Sequence, residues 1–215
     1  HRLSGALGRA GRLDGMTSNT LSRRGGQVPA RTAAIAIGAW TALLWVIEVL
    51  DQVTRSALEM FGIHAWQVSS LPSVFVAPLL HDDWAHLTAN TIPFFVLGFL
   101  VLMGGLGRAG WATLIVVVVS GLFAWLLSPP YTVTIGASGL IFGWLTYLLV
   151  RGFLTRNGAQ IAISIGVLVL YGGVLWGVLP TQPGVSWQAH LGGAVGGVLA
   201  AWWLHGRADA ARKAS

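Results

Sequence analysis

The apolar positions of this chain gather into six long runs, at about 32–50, 84–105, 109–127, 137–151, 160–179 and 188–204, divided by shorter polar or glycine- and proline-bearing stretches. Most approach the roughly 20 residues an α-helix needs to cross the hydrocarbon of a bilayer. The pattern predicts an all-α membrane protein, a bundle of six transmembrane helices with a long first loop at about 51–83 on the outer side. The fourth and sixth runs are short for a full crossing. Their helices are expected to start below the outer surface and leave a water-filled cavity there, the setting in which irregular backbone is tolerated at membrane depth.

Composition agrees with lipid as the main solvent. Of the 215 residues 54% are hydrophobic and 9% charged, against roughly a quarter charged in soluble domains. The net charge of +6 is not collected on a soluble domain, so it points to membrane topology and not to nucleic acid. Cysteine is absent, which removes disulfides, thiol nucleophiles and thiolate metal sites.

Twelve of the thirteen Lys and Arg fall on one side of the predicted spans: Arg2, Arg9, Arg12, Arg23, Arg24 and Arg31, then Arg108, Arg151 and Arg156, then Arg207, Arg212 and Lys213. Only Arg55 falls on the other, in a loop that also carries Asp51, Glu59, Asp82 and Asp83. The charge asymmetry places both termini in the cytoplasm. The expected organisation is a basic tail over 1–31 without the order of a signal peptide, a membrane domain over 32–204, and a short basic tail over 205–215. The loops at 128–136 and 180–187 are uncharged and fit the outer side. Trp40, Trp84, Trp111, Trp125, Trp187, Trp202 and Trp203 sit near span ends, as an aromatic belt requires.

In this topology the second, fourth and sixth helices all run inward from the outer face, and the unusual polar residues sit at their outer ends. His86 and Asn90 occupy the first turns of the second, Ser138 opens the fourth and His190 opens the sixth. Polar side chains are costly in hydrocarbon, so each needs a partner or a water-filled cavity. Plainer roles exist for every one of them. A lone Ser bonds its own helix backbone, His86 and Asn90 at i,i+4 share a face suited to packing, and His190 has a hydrogen bond to a neighbouring helix as its alternative. Small residues flank both key positions: Gly136-Ala137-Ser138-Gly139 with Gly143 beyond, and His190 followed by Gly192, Gly193, Gly196 and Gly197. Small-xxx-small spacing lets two helices approach closely. If the fourth and sixth pack on these faces, Ser138 Oγ and the His190 imidazole come within hydrogen-bond reach, as a nucleophile and its base must.

Peptide hydrolysis by serine needs a base, donors for the tetrahedral oxyanion, and water. His190 is the candidate base and then acid. Asn90, His86 and the Ser138 backbone N–H are candidates for the oxyanion site, helped by the partial positive charge at a helix start. No Asp or Glu occurs in the runs bearing Ser138 or His190. The expectation is therefore a dyad, with the ring oriented by packing. Pro93 inside the second helix releases the Ala89 carbonyl and is expected to bend the helix near the site.

At this point the residues resemble a known family. His81-Asp82-Asp83-Trp84-Ala85-His86-Leu87-Thr88-Ala89-Asn90 is similar to the H-x4-H-x3-N element of rhomboids, Gly136-Ala137-Ser138-Gly139 to their G-x-S-G, and Ala189-His190-Leu191-Gly192-Gly193 with Gly197 to their A-H-x-x-G-x-x-x-G. Order, spacing and helix assignment all agree, over about 32–204. The resemblance implies the basic six-helix bacterial form and an intramembrane serine endopeptidase. Its substrates would be single-pass membrane proteins, cut within or near their transmembrane segment by a Ser–His dyad without metal or cofactor. It implies Ser138 as nucleophile, His190 as base, and oxyanion or substrate binding by His86, Asn90 and Gly136. Gly139, Gly193, Gly197 and Phe142 would pack near the site, and His81 occupies a motif position of less defined role. Two departures stand out. Where rhomboids often carry Trp-Arg in the first outer loop this chain reads Leu71-Pro72-Ser73, and where many bacterial members place a tyrosine that stacks on the histidine it has Phe142, which keeps the ring and loses the hydroxyl.

Three other readings compete. A non-catalytic rhomboid-like protein that binds membrane clients would typically lack the serine or the histidine. A transporter would carry its ionisable residues on toward the inner leaflet and show paired broken helices. A metal hydrolase using His81, His86, His190 and Asp82 would want an H-E-x-x-H helix; Asp82 and Asp83 read more simply as caps of the second helix. The expected partners are transmembrane substrates and the bilayer of a bacterial plasma membrane. Oligomeric state is not legible.

Overall fold

The structure, a computed structural model, describes residues 28–181 and 184–213, and side chains up to residue 206. The basic tail expected over 1–31 lies outside the described residues except for 28–31. Among the described residues six α-helices follow one another: α1 (Ala30–Val53), α2 (Trp84–Met103), α3 (Leu106–Leu127), α4 (Ser138–Thr155), α5 (Gly158–Tyr171) and α6 (Trp187–Lys213). α1 to α4, and α5 taken together with the 3-10 turns that continue it to Val178, are long and apolar enough to cross a membrane. α6 stands outside that set because Gln188, His190 and four glycines dilute its first turns. Those residues are shielded by protein: α6 packs chiefly against α3 and α4. The chain is thus a multi-pass integral membrane protein.

Local sequence explains the helix limits. Asp83 caps α2, its Oδ1 accepting the His86 backbone N–H at 2.7 Å, and Asn157 caps α5 by accepting from the N–H groups of Ala159 and Gln160. Such caps satisfy donors that the first helical turn leaves free. Gly104-Gly105 separates α2 from α3, with Gly105 at φ +112°.

Around α4 sits the core. Trp144, Leu145, Tyr147 and Leu148 are buried there with Ile37 and Leu44 of α1, Phe94 and Leu97 of α2, and Ala200 and Ala201 of α6. In lipid the drive for helix association is close packing and not water exclusion, and the α4–α6 seam is built for it. A Cβ placed on Gly193 would overlap the Gly139 carbonyl oxygen, and one on Gly197 would overlap that of Gly143. Thr146 Oγ1 adds a bond across the seam to the Ala194 carbonyl at 2.9 Å, and Ser120 of α3 ties in through the Ala189 carbonyl at 2.8 Å.

The structure differs from the sequence expectation in several places. α6 runs 27 residues, so it is not short; the apolar run ends at about 204 but the helix does not. The apolar run at 160–179 is not one α-helix, since α5 gives way at Gly172-Gly173 to 3-10 turns over Gly172–Val178. Paired glycines lack the side-chain packing that holds an α-helical turn. Arg151 lies inside α4, 3% exposed, its guanidinium 5.5 Å from the Tyr147 ring centre. Asp51 belongs to α1, where Oδ1 accepts the Leu58 N–H at 2.7 Å, and Glu48 beside it is buried against Gln52. Trp40 is no belt residue: its ring meets Phe94 and Trp144 edge-on at 5.2 and 5.7 Å.

The loop between α1 and α2 is compact without a Trp-Arg pair. Trp66 Nε1 donates to the Ser128 carbonyl at 3.0 Å and Trp125 Nε1 to that of Gln67 at 2.9 Å. Ser70 Oγ donates to the His64 carbonyl at 2.8 Å. A two-residue antiparallel ribbon, β1 (Ile63–His64) with β2 (Val133–Thr134), fastens this loop to the one that precedes α4. It is the one departure from all-α structure among the described residues.

Candidate active site

Ser138 is the first residue of α4, reached through a fixed approach. The Gly136 N–H donates to the Ala77 carbonyl at 2.9 Å, and the Ala137 N–H points at His81 Nε2 at a long 3.5 Å. Gly136 holds φ +119°, and a Cβ there would stand 2.9 Å from His86 Nε2. Both facts demand glycine, since an L side chain favours neither that backbone region nor that space. Because helical bonds begin four residues on, with Ile141 N–H to the Ala137 carbonyl, the Ser138 and Gly139 N–H groups have no helical acceptor.

His190 sits in the first turn of α6, 6% exposed. Its Nε2 is 2.8 Å from Ser138 Oγ, and its Nδ1 is 2.8 Å from the Gly177 carbonyl oxygen. A carbonyl only accepts, so Nδ1 carries the proton, the neutral ring leaves Nε2 as acceptor, and Ser138 O–H donates to it. The ring is held by more than packing. Sequence reasoning missed Gly177 because the group is a backbone carbonyl presented by a 3-10 turn, with no side chain to mark it. Phe142, one turn along α4 from Ser138, lies flat against the other side of the imidazole, centroids 4.1 Å apart and planes 10° from parallel.

Asn90 and His86 line the same cavity as Ser138 and His190, a hollow of about 760 Å³. Asn90 is 7% exposed and its Nδ2 has no protein partner. An unpaired buried donor is costly, and Asn90 forms part of the wall of a cavity large enough for several residues of a bound peptide. The 3-10 segment, through Trp176 and Gly177, closes another side of the hollow. His81 lies behind, 2% exposed, its ring edge-on to His86 at 5.1 Å. Burial first, and then the neighbouring His86, lower its pKa to about 4, so it is neutral at ordinary pH. The two acidic residues before α2 differ in role. Asp83 caps the helix, whereas Asp82 Oδ1 lies 2.6 Å from His86 Nδ1. Among the described residues, no three of His, Asp and Glu are placed to share a metal ion.

The sequence has relatives consistent with this geometry. An uncharacterized protein of Mycobacterium tuberculosis is 49% identical over 173 residues, spanning 77% of this chain and 72% of the relative. One from Mycobacterium leprae is 47% identical over 178 residues, 79% and 70% of the two chains. The rhomboid-like protein 11, chloroplastic, of Arabidopsis thaliana is 27% identical over 170 residues, 66% of this chain and 59% of its own length. The family model of the rhomboid domain matches residues 65–207, which take in all three motifs and the cavity-lining parts of α2, α4 and α6, and the chain belongs to the rhomboid family.

Proposed function

We propose that this rhomboid is a serine endopeptidase that cuts single-pass membrane proteins within or near their transmembrane segment, with Ser138 as nucleophile and His190 as general base. The observation that carries this reading is the relay from the Gly177 carbonyl through His190 to Ser138, two contacts of 2.8 Å each. In serine hydrolases that use a triad, an aspartate fixes the histidine tautomer. A peptide carbonyl does so here, which suits a site without an acidic third member.

The reaction follows from these positions. His190 Nε2 takes the Ser138 proton as Oγ attacks the scissile carbonyl carbon, and the carbonyl π electrons move onto oxygen. The oxyanion is met by the Ser138 N–H at the start of α4, by Asn90 Nδ2 and by the His86 ring. His190 then protonates the departing amine, leaving an acyl ester on Ser138. Water admitted through the cavity adds to the ester with His190 again as base, and collapse of the second intermediate returns the proton to Oγ.

The surrounding assignments belong to the same reading. Gly139, Gly193 and Gly197 set the approach of α4 to α6, Phe142 backs the base, and His81 supports the loop before the nucleophile. The membrane domain, about 32–204, lies in a bacterial plasma membrane with both basic termini in the cytoplasm and the cavity opening outward.

The test is labelling of the detergent-purified chain by a fluorophosphonate, with cleavage of a model single-pass substrate alongside. Both are expected in the wild type and abolished in Ser138→Ala and His190→Ala. Cleavage undiminished in Ser138→Ala sinks the mechanism, and binding of membrane clients without labelling or cleavage favours the client-binding alternative.

A further inference from the structure

We infer that Asp82 is a positioning residue of this site: as the counter-ion of His86 it makes that ring an imidazolium whose Nε2–H faces the developing oxyanion. The inference rests on the protease reading above, and its own observation is the contrast between the two histidines of the cavity. Each has Nδ1 committed to an oxygen that only accepts, so each carries a proton there. For His190 the acceptor is the neutral Gly177 carbonyl at 2.8 Å, and the ring works as a base through a bare Nε2. For His86 the acceptor is a carboxylate at 2.6 Å. With Nδ1 occupied, His86 donates from Nε2 only when both nitrogens are protonated, and a short charge-assisted bond to Asp82 supplies the compensating negative charge.

Direction supports the same role. Of the His86 ring atoms, Cε1 and Nε2 come nearest the space that a Cβ on Gly136, two residues before the nucleophile, would occupy. Asp82 meets the ring at Nδ1 and not at Nε2, and its side chain is 57% exposed. As a residue acting through another, it differs from Asp83, whose carboxylate is spent on the His86 backbone N–H at 2.7 Å. Other ionisable groups stand about the ring: His81 edge-on at 5.1 Å, and His190 on α6 and Glu59 in the first loop, both on the wall of the same cavity. Of these, Asp82 alone bonds the imidazole.

The experiment uses Asp82→Asn, which keeps size and an acceptor for Nδ1–H but loses the charge, in the full chain in micelles. One arm is kinetic. Because the oxyanion exists only beyond the ground state, kcat is expected to fall about tenfold with KM within about twofold. The other arm is 15N NMR of histidine-labelled protein at neutral pH, with the His86 signals assigned through His86→Gln. The wild type is expected to show two protonated ring nitrogens of similar shift, and Asp82→Asn a separated, unprotonated one. Wild-type kcat in Asp82→Asn, or a neutral His86 in the unmutated protein, overturns the inference. Failure of the protease reading looks different: the wild type neither labels nor cleaves, while the NMR arm still reports the state of the ring.

Discussion

Phe142 and His190 are stacked face to face, their ring centres 4.1 Å apart and their planes 10° from parallel. With the Gly177 carbonyl on Nδ1, this leaves the imidazole no free rotation about its Cβ–Cγ bond. Stacked aromatic pairs contribute about 1 kcal/mol beyond burial, so Phe142→Leu is expected to lower kcat roughly fivefold while Ser138 still labels. Phe142→Tyr keeps the ring and is expected to stay near wild type. Steady-state cleavage of a single-pass substrate by the two variants, measured side by side, checks this.

Asn90 lines the cavity that holds Ser138, and its buried Nδ2 has no hydrogen-bond partner. If it is one of several oxyanion donors, Asn90→Ala slows turnover by about ten- to a thousandfold and leaves KM nearly unchanged. A change confined to KM would mean that Asn90 binds substrate and not the transition state.

The glycines of α4 and α6 are expected to differ sharply from those elsewhere. Gly193→Val drives a branched side chain into the Gly139 carbonyl and is expected to cost about 3 kcal/mol, read as a lower melting temperature in detergent and lost labelling of Ser138. Gly110 of α3 has open space where its Cβ would be. Gly110→Ala is expected to match or exceed the wild type by up to about 1 kcal/mol, the gain in helix propensity.

His81 sets an acid limit on stability. Its pKa is near 6.5 when unfolded and about 4 when folded, so between these values the unfolded chain holds more protons and stability falls as pH drops. The contribution is complete above about 6.5, declines from there toward pH 4, and amounts to at most about 3 kcal/mol. Melting temperatures across this range should fall less steeply in His81→Gln than in the wild type.

The motifs made much of this site legible because they are side chains at fixed spacing on helices. His86 and Asn90 share the inner face of α2, and Ser138 and His190 each sit at a helix start, so a helical reading of the apolar runs brings them together. What the sequence hid is mostly backbone. The Gly177 carbonyl depends on the change from α to 3-10 geometry after Tyr171, and hydropathy does not distinguish these two helical forms. The carboxylates misled for another reason. Asp82 and Asp83 are equivalent as residue types before a helix, and only the rotation of the chain entering α2 sends one to a backbone N–H and the other to an imidazole. Helix ends were the weakest part, as at Asp51 and Arg151, where charged side chains remain helical and buried by lying along protein.

The α4–α6 seam has a mechanical consequence. Because Gly193 rests on the Gly139 backbone and Gly197 on that of Gly143, no side chain separates the helices at these two contacts to act as a compressible spacer. The separation of Ser138 from His190 is thereby fixed by backbone atoms already in contact. The apolar span of α5 is peripheral by comparison, with little of it buried against the rest of the protein. On the protease reading, a bilayer that acts on this outlying span would change how quickly a substrate arrives without retuning the distance over which the proton moves.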